Sequence, residues 1–284
     1  MKYLLFLIIL VGCCPIKEGP PGDVQSIEWK QTKPTGKLEI IDCKGGKSDS
    51  LDIRTSNVVV QNCDITGYIR IWGQARNGES PVLKDRSHSV GYVNWLRNES
   101  PTNVRIINTS IHANGPIPLY VGPGVTNTYI HTVFIDGISV STMIYLDAES
   151  FGTKILNSTI DGTNSPREVI AIDSSDYNVI RDNHIQYVTG GIFLYRNCGE
   201  GGVTRHTTPS YNSIMENTFV GYDIAIWLSA RDGNRCYCSL DNGNSYGSSI
   251  SDLDHARYNY IANNTLGGPI VHGKSAEYNT VQKK

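Results

Sequence analysis

The sequence predicts an all-β solenoid, and three observations predict it. Composition is the first: 28 glycines accompany many Asn, Ile, Val, Thr and Tyr residues, a mixture of turn formers and strand formers, and 39% hydrophobic content is enough for a core. A repeat is the second. Segments of the form apolar, Asn or another polar residue, apolar recur along the chain, at 24- to 25-residue spacing from Ile106 through Ile130 and Ile155 to Ile180. The third is the alternation of apolar residues that follows each copy, which marks a second strand with one face inward. Disorder is thereby excluded as the main state. With 25 basic and 27 acidic residues and a formal charge of -2, the chain lacks the electrostatic footprint for coating nucleic acid or an anionic membrane.

Taken in order, the copies are Val60-Gln61-Asn62-Cys63-Asp64-Ile65, Ile106-Ile107-Asn108-Thr109-Ser110-Ile111, Ile130-His131-Thr132-Val133-Phe134-Ile135 and Ile155-Leu156-Asn157-Ser158-Thr159-Ile160. Three more begin at Ile180, Ile214 and Ile261; Ile40 to Cys43 reads as an earlier copy, with Ile40 aligned to Val60, and Val281 as the start of a last one. The second strands carry Ile69/Ile71, Leu119/Val121, Ile144/Leu146, Ile170/Ile172, Ile192/Leu194 and Ile226/Leu228. A unit this short cannot bury its apolar face alone, so copies must stack, which is the logic of a parallel β-helix with ~4.8 Å between coils and about eight to ten coils. Asn62, Asn108, Asn157, Asn183, Asn217 and Asn264 read as one hydrogen-bonded structural stack.

On these residues the chain resembles the right-handed parallel β-helix, pectate-lyase-like superfamily over residues 38 to 284. The resemblance implies a single-domain right-handed solenoid and, in many members, cleavage or epimerisation of polysaccharides. It carries no catalytic signature onto particular positions here, because the repeat consists of scaffold residues.

Residues Tyr3 to Val11 form a short apolar run ending in Gly12-Cys13, followed by Pro15 and a Pro/Gly-rich stretch. This resembles a bacterial lipoprotein signal, which gives residues 1–12 as signal peptide, Cys13 as lipidated first residue and 13–37 as tether; an ordinary cleaved signal is the alternative. The run is shorter than the ~20 residues a bilayer crossing needs, so membrane contact is expected only through a lipid anchor. Either reading exports the protein, where disulfides persist. Cys43 and Cys63, each three residues after an aligned apolar position on neighbouring coils, are expected to pair. Cys198 is expected to pair with Cys236 or Cys238; ligation of a metal by Cys236-Tyr237-Cys238 lacks a matching partner pair nearby.

Between the inward residues of the second strands, one outward column reads Arg70, Tyr120, Tyr145, Ala171, Phe193, Trp227, and the next reads Trp72, Gly122, Asp147, Asp173, Tyr195, Ser229. Aromatic rings on successive coils suit the flat faces of sugars, and Asp147 and Asp173 form an acid pair on adjacent coils; a solvated turn is the bland reading of the acids. Long connections run from Gly73 to about Asn103, Asn197 to about Tyr211 and Ala230 to about Tyr258, all from one corner, so the acids are expected at the bottom of a loop-walled cleft. These loops bring Arg196, Glu200, Arg205, His206 and Arg231. Arginine forks bind carboxylate or sulfate, while Glu200 and His206 also read as solvated turn and loop residues. Asp241-Asn242-Gly243-Asn244 has oxygen donors compatible with calcium but lacks EF-hand spacing; no other cofactor is expected.

The function expected from the residues is a polysaccharide-active enzyme with a glycan across Tyr120, Tyr145, Phe193 and Trp227. As a hydrolase it would use Asp147 and Asp173, with Glu149 or Glu200 as a substitute member, the carboxyl separation deciding retention or inversion. As a lyase it would use Arg196 or Arg231 to neutralise a uronate and Tyr195, His206 or an Arg as base. A non-catalytic glycan-binding lipoprotein and a structural spacer are the alternatives.

Overall fold

The structure, a computed structural model, describes residues 36–73, 85–197, 203–233 and 253–282. The expected signal segment with Cys13 and residues 13–35 of the expected tether, the segment with Cys198 and Glu200, and the segment with Cys236, Cys238 and 241–244 lie outside the described residues.

Every strand pairing within the described residues is parallel, and the chain winds as the right-handed parallel β-helix that its repeat predicts. Each coil has up to three short strands, so the solenoid has three faces. The first face runs from Glu39–Asp42 through Val58–Gln61 and onward to Thr280–Gln282, nine strands in register. A corner with the left-handed backbone separates it from the second face, at Asn62 (φ 53°), Asn108 (φ 47°) and Asn157 (φ 48°) among others. The third face is an eight-stranded sheet that includes Ile69–Ile71, Leu119–Val121, Ile144–Leu146, Glu168–Asp173, Gly190–Tyr195 and Ile224–Leu228.

The expected apolar positions face inward and stack. Val60, Ile106, Ile130, Ile155, Ile180, Ile214 and Ile261 are aligned coil upon coil, each no more than 1% exposed. The third face contributes Ile144 and Leu146 over Ile170 and Ile172, and so on along the axis. In-register stacking lets one β-branched or leucine side chain fill the hollow between two identical neighbours, which is why a repeat with little sequence identity still packs densely.

Two expectations about register change. The first coil aligns Ile41, not Ile40, with Val60, because Cys43 directly follows Asp42 whereas Asn62 intervenes between Gln61 and Cys63. The cysteines meet all the same: Cys43 and Cys63 are disulfide-bonded with Cα atoms 4.8 Å apart. The bond closes a loop with a sequence separation of 20, so its reduction is expected to lower stability by about 3 kcal/mol. Equal unfolding midpoints with and without reductant would contradict this.

The asparagines form two columns where one was expected. Asn62, Asn108 and Asn157 take the left-handed corner positions, and Asn108 Nδ2 reaches Asn62 Oδ1 at 2.8 Å on the outside. Asn183, Asn217 and Asn264 stand one residue further on and form a buried ladder, amide to amide at 2.9 and 3.0 Å. A second ladder, Asn178, Asn212 and Asn259, buried, and Asn279, half-buried, marks the corner between the third and first faces. Each amide satisfies a backbone group that the bend removes from the sheet.

Candidate functional site

The site lies on the outer surface of the third face. Trp72, Tyr120, Tyr145, Phe193 and Trp227 are half-buried there on successive coils. Ring centroids are 5.7 Å apart for Trp72 and Tyr120, 6.1 Å for Tyr120 and Tyr145, and 5.3 Å for Phe193 and Trp227. The cross-strand register puts Tyr120, Tyr145, Phe193 and Trp227 in one column headed by Arg70, while Trp72 stands in the neighbouring column beside Tyr120. Ala171 interrupts the row between Tyr145 and Phe193 and is wholly buried, so its neighbours close over it.

The next outward column differs from the open cleft expected. Asp147 is 1% exposed and Asp173 0%, because residues from the insertions bond across them. Arg205 reaches Asp147 Oδ1 at 2.9 Å, and the Ala148 N–H donates to the same oxygen at 2.7 Å. The Tyr120 hydroxyl donates to Asp147 Oδ2 at 2.5 Å. On the adjacent coil the Tyr145 hydroxyl donates to Asp173 Oδ2 at 2.6 Å, and Asn197 donates through its backbone N–H and its side chain at 2.8 and 2.9 Å. The two coils thus repeat one motif, an outward tyrosine whose hydroxyl ends on a buried carboxylate.

Burial pushes the Asp147 carboxyl above the usual carboxylate range, with Arg205 pulling it down and Asp173 pushing it further up. Tyr120 and Tyr145 are held well above the ordinary phenol range, first by burial and then by the carboxylate each faces. Both hydroxyls therefore keep their protons at neutral pH.

The other expected residues are distributed around this core. Tyr195 is 1% exposed and its hydroxyl donates to Glu168 at 2.7 Å, while Arg167 donates to that hydroxyl at 3.0 Å and to Glu168 at 2.7 Å. Arg231 is half-buried, lies 4.1 Å over the Tyr195 ring and donates to the Asn197 side-chain carbonyl. Arg196 is fully buried; its side chain turns to the Leu253 carbonyl and its backbone N–H donates to Asp254. Glu149 is buried and accepts from the His206 and Thr207 backbone N–H groups at 2.7 and 3.0 Å. The His206 ring contacts the Ser87 carbonyl at 2.6 Å and packs 5.6 Å from the Tyr92 ring. Asp147, Asp173, Tyr120, Tyr145 and Arg231 are brought together, whereas Glu149, His206 and Arg196 fasten the insertions to the solenoid.

That fastening includes residues not singled out from the sequence. The helix Tyr92–Glu99 packs Tyr92, Val93 and Leu96 against Val203 of the second insertion. From this helix the buried Arg97 reaches Asp176 at 2.5 Å and the Glu149 carbonyl at 2.8 Å. Burial raises the Asp176 carboxyl to about 7 against the opposing pull of Arg97. A carboxyl raised in the fold contributes stability fully present below its unfolded pKa and lost as pH rises through the folded value. Wild-type stability is therefore expected to fall between about pH 4 and pH 7 through this group, and Asp176→Asn to remove that part of the slope. Parallel pH profiles of thermal unfolding for the two proteins would contradict it.

Among the described residues no group of three or more His, Cys, Asp or Glu side chains is placed to hold a metal ion.

No family model matches the chain, and no curated protein matches it. Among solved structures it is similar to an alginate lyase from a Paenibacillus species, at 12% identity and a TM-score of 0.35, over 80% of this chain and 73% of that one. It is also similar to the A-module of a mannuronan C-5 epimerase from Azotobacter vinelandii, at 10% identity and a TM-score of 0.25, over 83% and 79%.

Proposed function

We propose that the protein is an exported polysaccharide-active enzyme that binds an extended acidic glycan along the third face and cleaves it by elimination. The observation that carries the reading is the pair of tyrosine–carboxylate motifs, Tyr120 with Asp147 and Tyr145 with Asp173, set in a row of half-buried rings. Flat aromatic rings in a row suit pyranose stacking. The carboxylates themselves are buried behind the phenols and engaged by Arg205 and Asn197, which disfavours direct attack on a sugar carbon and leaves the tyrosines as the groups that meet substrate.

In this scheme Arg231, beside Asn197 and half-exposed, neutralises a uronate carboxylate and so acidifies the adjacent C–H. The proton on that carbon passes to the Tyr145 oxygen as the phenol proton passes to the Asp173 carboxylate. The C–H electron pair becomes a double bond, the bond to the glycosidic oxygen on the next carbon breaks, and Tyr120 donates its proton to the leaving oxygen. Asp147 and Arg205 hold the Tyr120 hydroxyl in place. Arg196 and Tyr195, buried and bonded elsewhere, take no part, and His206 stays in the clasp.

A second reading, glycan binding without cleavage, is favoured by the full engagement of both carboxylates. Incubation of the protein with polygalacturonate, alginate, hyaluronan and neutral xylan separates the two. Elimination gives ultraviolet-absorbing unsaturated ends on an acidic polymer; retention of polymer without new ends supports binding alone, and new saturated ends would move the reaction to hydrolysis. A lipid anchor at Cys13 is part of the same proposal and is tested by the mass of the exported amino terminus.

A further inference from the structure

Four tyrosines form a ridge at the corner between the third and first faces, beyond the end of the third-face strands. Tyr177, Tyr211, Tyr258 and Tyr278 stand on consecutive coils with ring centroids 4.8, 5.1 and 5.3 Å apart and planes within 15° of parallel. They are between 37% and 69% exposed. Their hydroxyls have no protein hydrogen-bond partner among the described residues, unlike Tyr120, Tyr145 and Tyr195, which are each tied to a carboxylate.

The backbone makes this arrangement unexpected. All four tyrosines are left-handed, with φ from 56° to 58°. A Cβ-bearing residue is strained there unless it is Asn or Asp, and the same corner position in earlier coils is Asn57, Asn103, Asn127 and Gly152, the residues that tolerate it. The turn alone gives no reason for tyrosine, and strain held at successive positions points to a use of the side chains. Stacking covers the ring faces and leaves the edges and hydroxyls pointing out. Phe151 extends the stack 5.1 Å beyond Tyr177, where the Arg97 guanidinium lies 4.9 Å from its ring, so the helix insertion closes that end and the ridge opens toward the carboxy-terminal coils.

We propose that this ridge binds the polysaccharide itself, as a guide that hydrogen-bonds one hydroxyl to each successive sugar of an extended chain lying parallel to the solenoid axis. The ring spacing is close to the length of one pyranose residue in such a chain, so a single register engages all four phenols. Four weak contacts on one polymer act as linked sites, and the gain is lost for a ligand too short to span them. This inference rests on the reading of the chain as polysaccharide-active.

The test uses the full chain and a quadruple variant, Tyr177→Phe, Tyr211→Phe, Tyr258→Phe and Tyr278→Phe, which keeps the stack and removes only the hydroxyls. Native electrophoresis through gels cast with polygalacturonate, alginate or xylan reads polymer binding. The variant is expected to unfold at the wild-type temperature and to bind the retarding polymer at least about tenfold more weakly. It is also expected to turn over a uronate trisaccharide at the wild-type rate, whereas Tyr145→Phe loses turnover and keeps retardation. Equal migration of wild type and quadruple variant in every gel, retarded or not, overturns the proposal. A ridge variant that unfolds early but binds polymer normally also overturns it, by making the phenols structural.

Discussion

Tyr145→Phe is expected to lower kcat/KM on an acidic polysaccharide by about a hundredfold or more, since it removes the atom assigned to take the substrate proton. The ring remains, so glycan stacking and KM should change little. The variant also leaves the Asp173 carboxylate one hydrogen bond short, with the two Asn197 donors still in place, at an expected loss of about 1 to 3 kcal/mol in stability. Both quantities need measuring on the same preparation. A variant as stable as wild type and equally active would remove Tyr145 from the chemistry.

Arg205→Met is expected to lower stability by about 3 to 5 kcal/mol, the largest effect of any single substitution considered. Arg205 is 3% exposed and, among the described residues, the carboxylate it contacts is Asp147, which is itself buried, so the variant leaves an uncompensated charge under the insertion. Replacing both partners, as Arg205→Met with Asp147→Leu, should recover much of the loss because no isolated charge remains. Denaturant unfolding of the two singles and the double gives the coupling directly. A single variant within about 1 kcal/mol of wild type would mean that the charge finds water, and that the insertion does not seal the site.

Much of the fold was legible because stacking imposes its period on the chain. Ile106, Ile130, Ile155 and Ile180 repeat at nearly constant spacing, and their pairing in the structure follows that spacing. The slip at Ile40 arose where a corner is shorter by one residue, a change that no apolar pattern records. Asp147 and Asp173 were legible for the same reason as the core: they occupy equivalent positions on adjacent coils. Their burial was not legible. It depends on Arg205 and Asn197, which come from insertions that obey no period. The tyrosine ridge did leave a signal. The dipeptide Tyr-Asn recurs at 177–178, 211–212, 258–259 and 278–279, just before each first-face strand, and its asparagines form the second ladder.

An acidic glycan is expected along the third face, with its carboxylate at Arg231 and its scissile bond between Tyr145 and Tyr120. A crystal structure of Tyr145→Phe soaked with a uronate tetrasaccharide tests it most directly. Sugar rings are expected over Trp72, Tyr120, position 145 and Phe193, with one carboxylate within hydrogen-bond distance of the Arg231 guanidinium and the adjacent C–H facing position 145. A tetrasaccharide bound on another face, or a third face left closed over Ala171 with Arg231 still turned to Asn197, would contradict it.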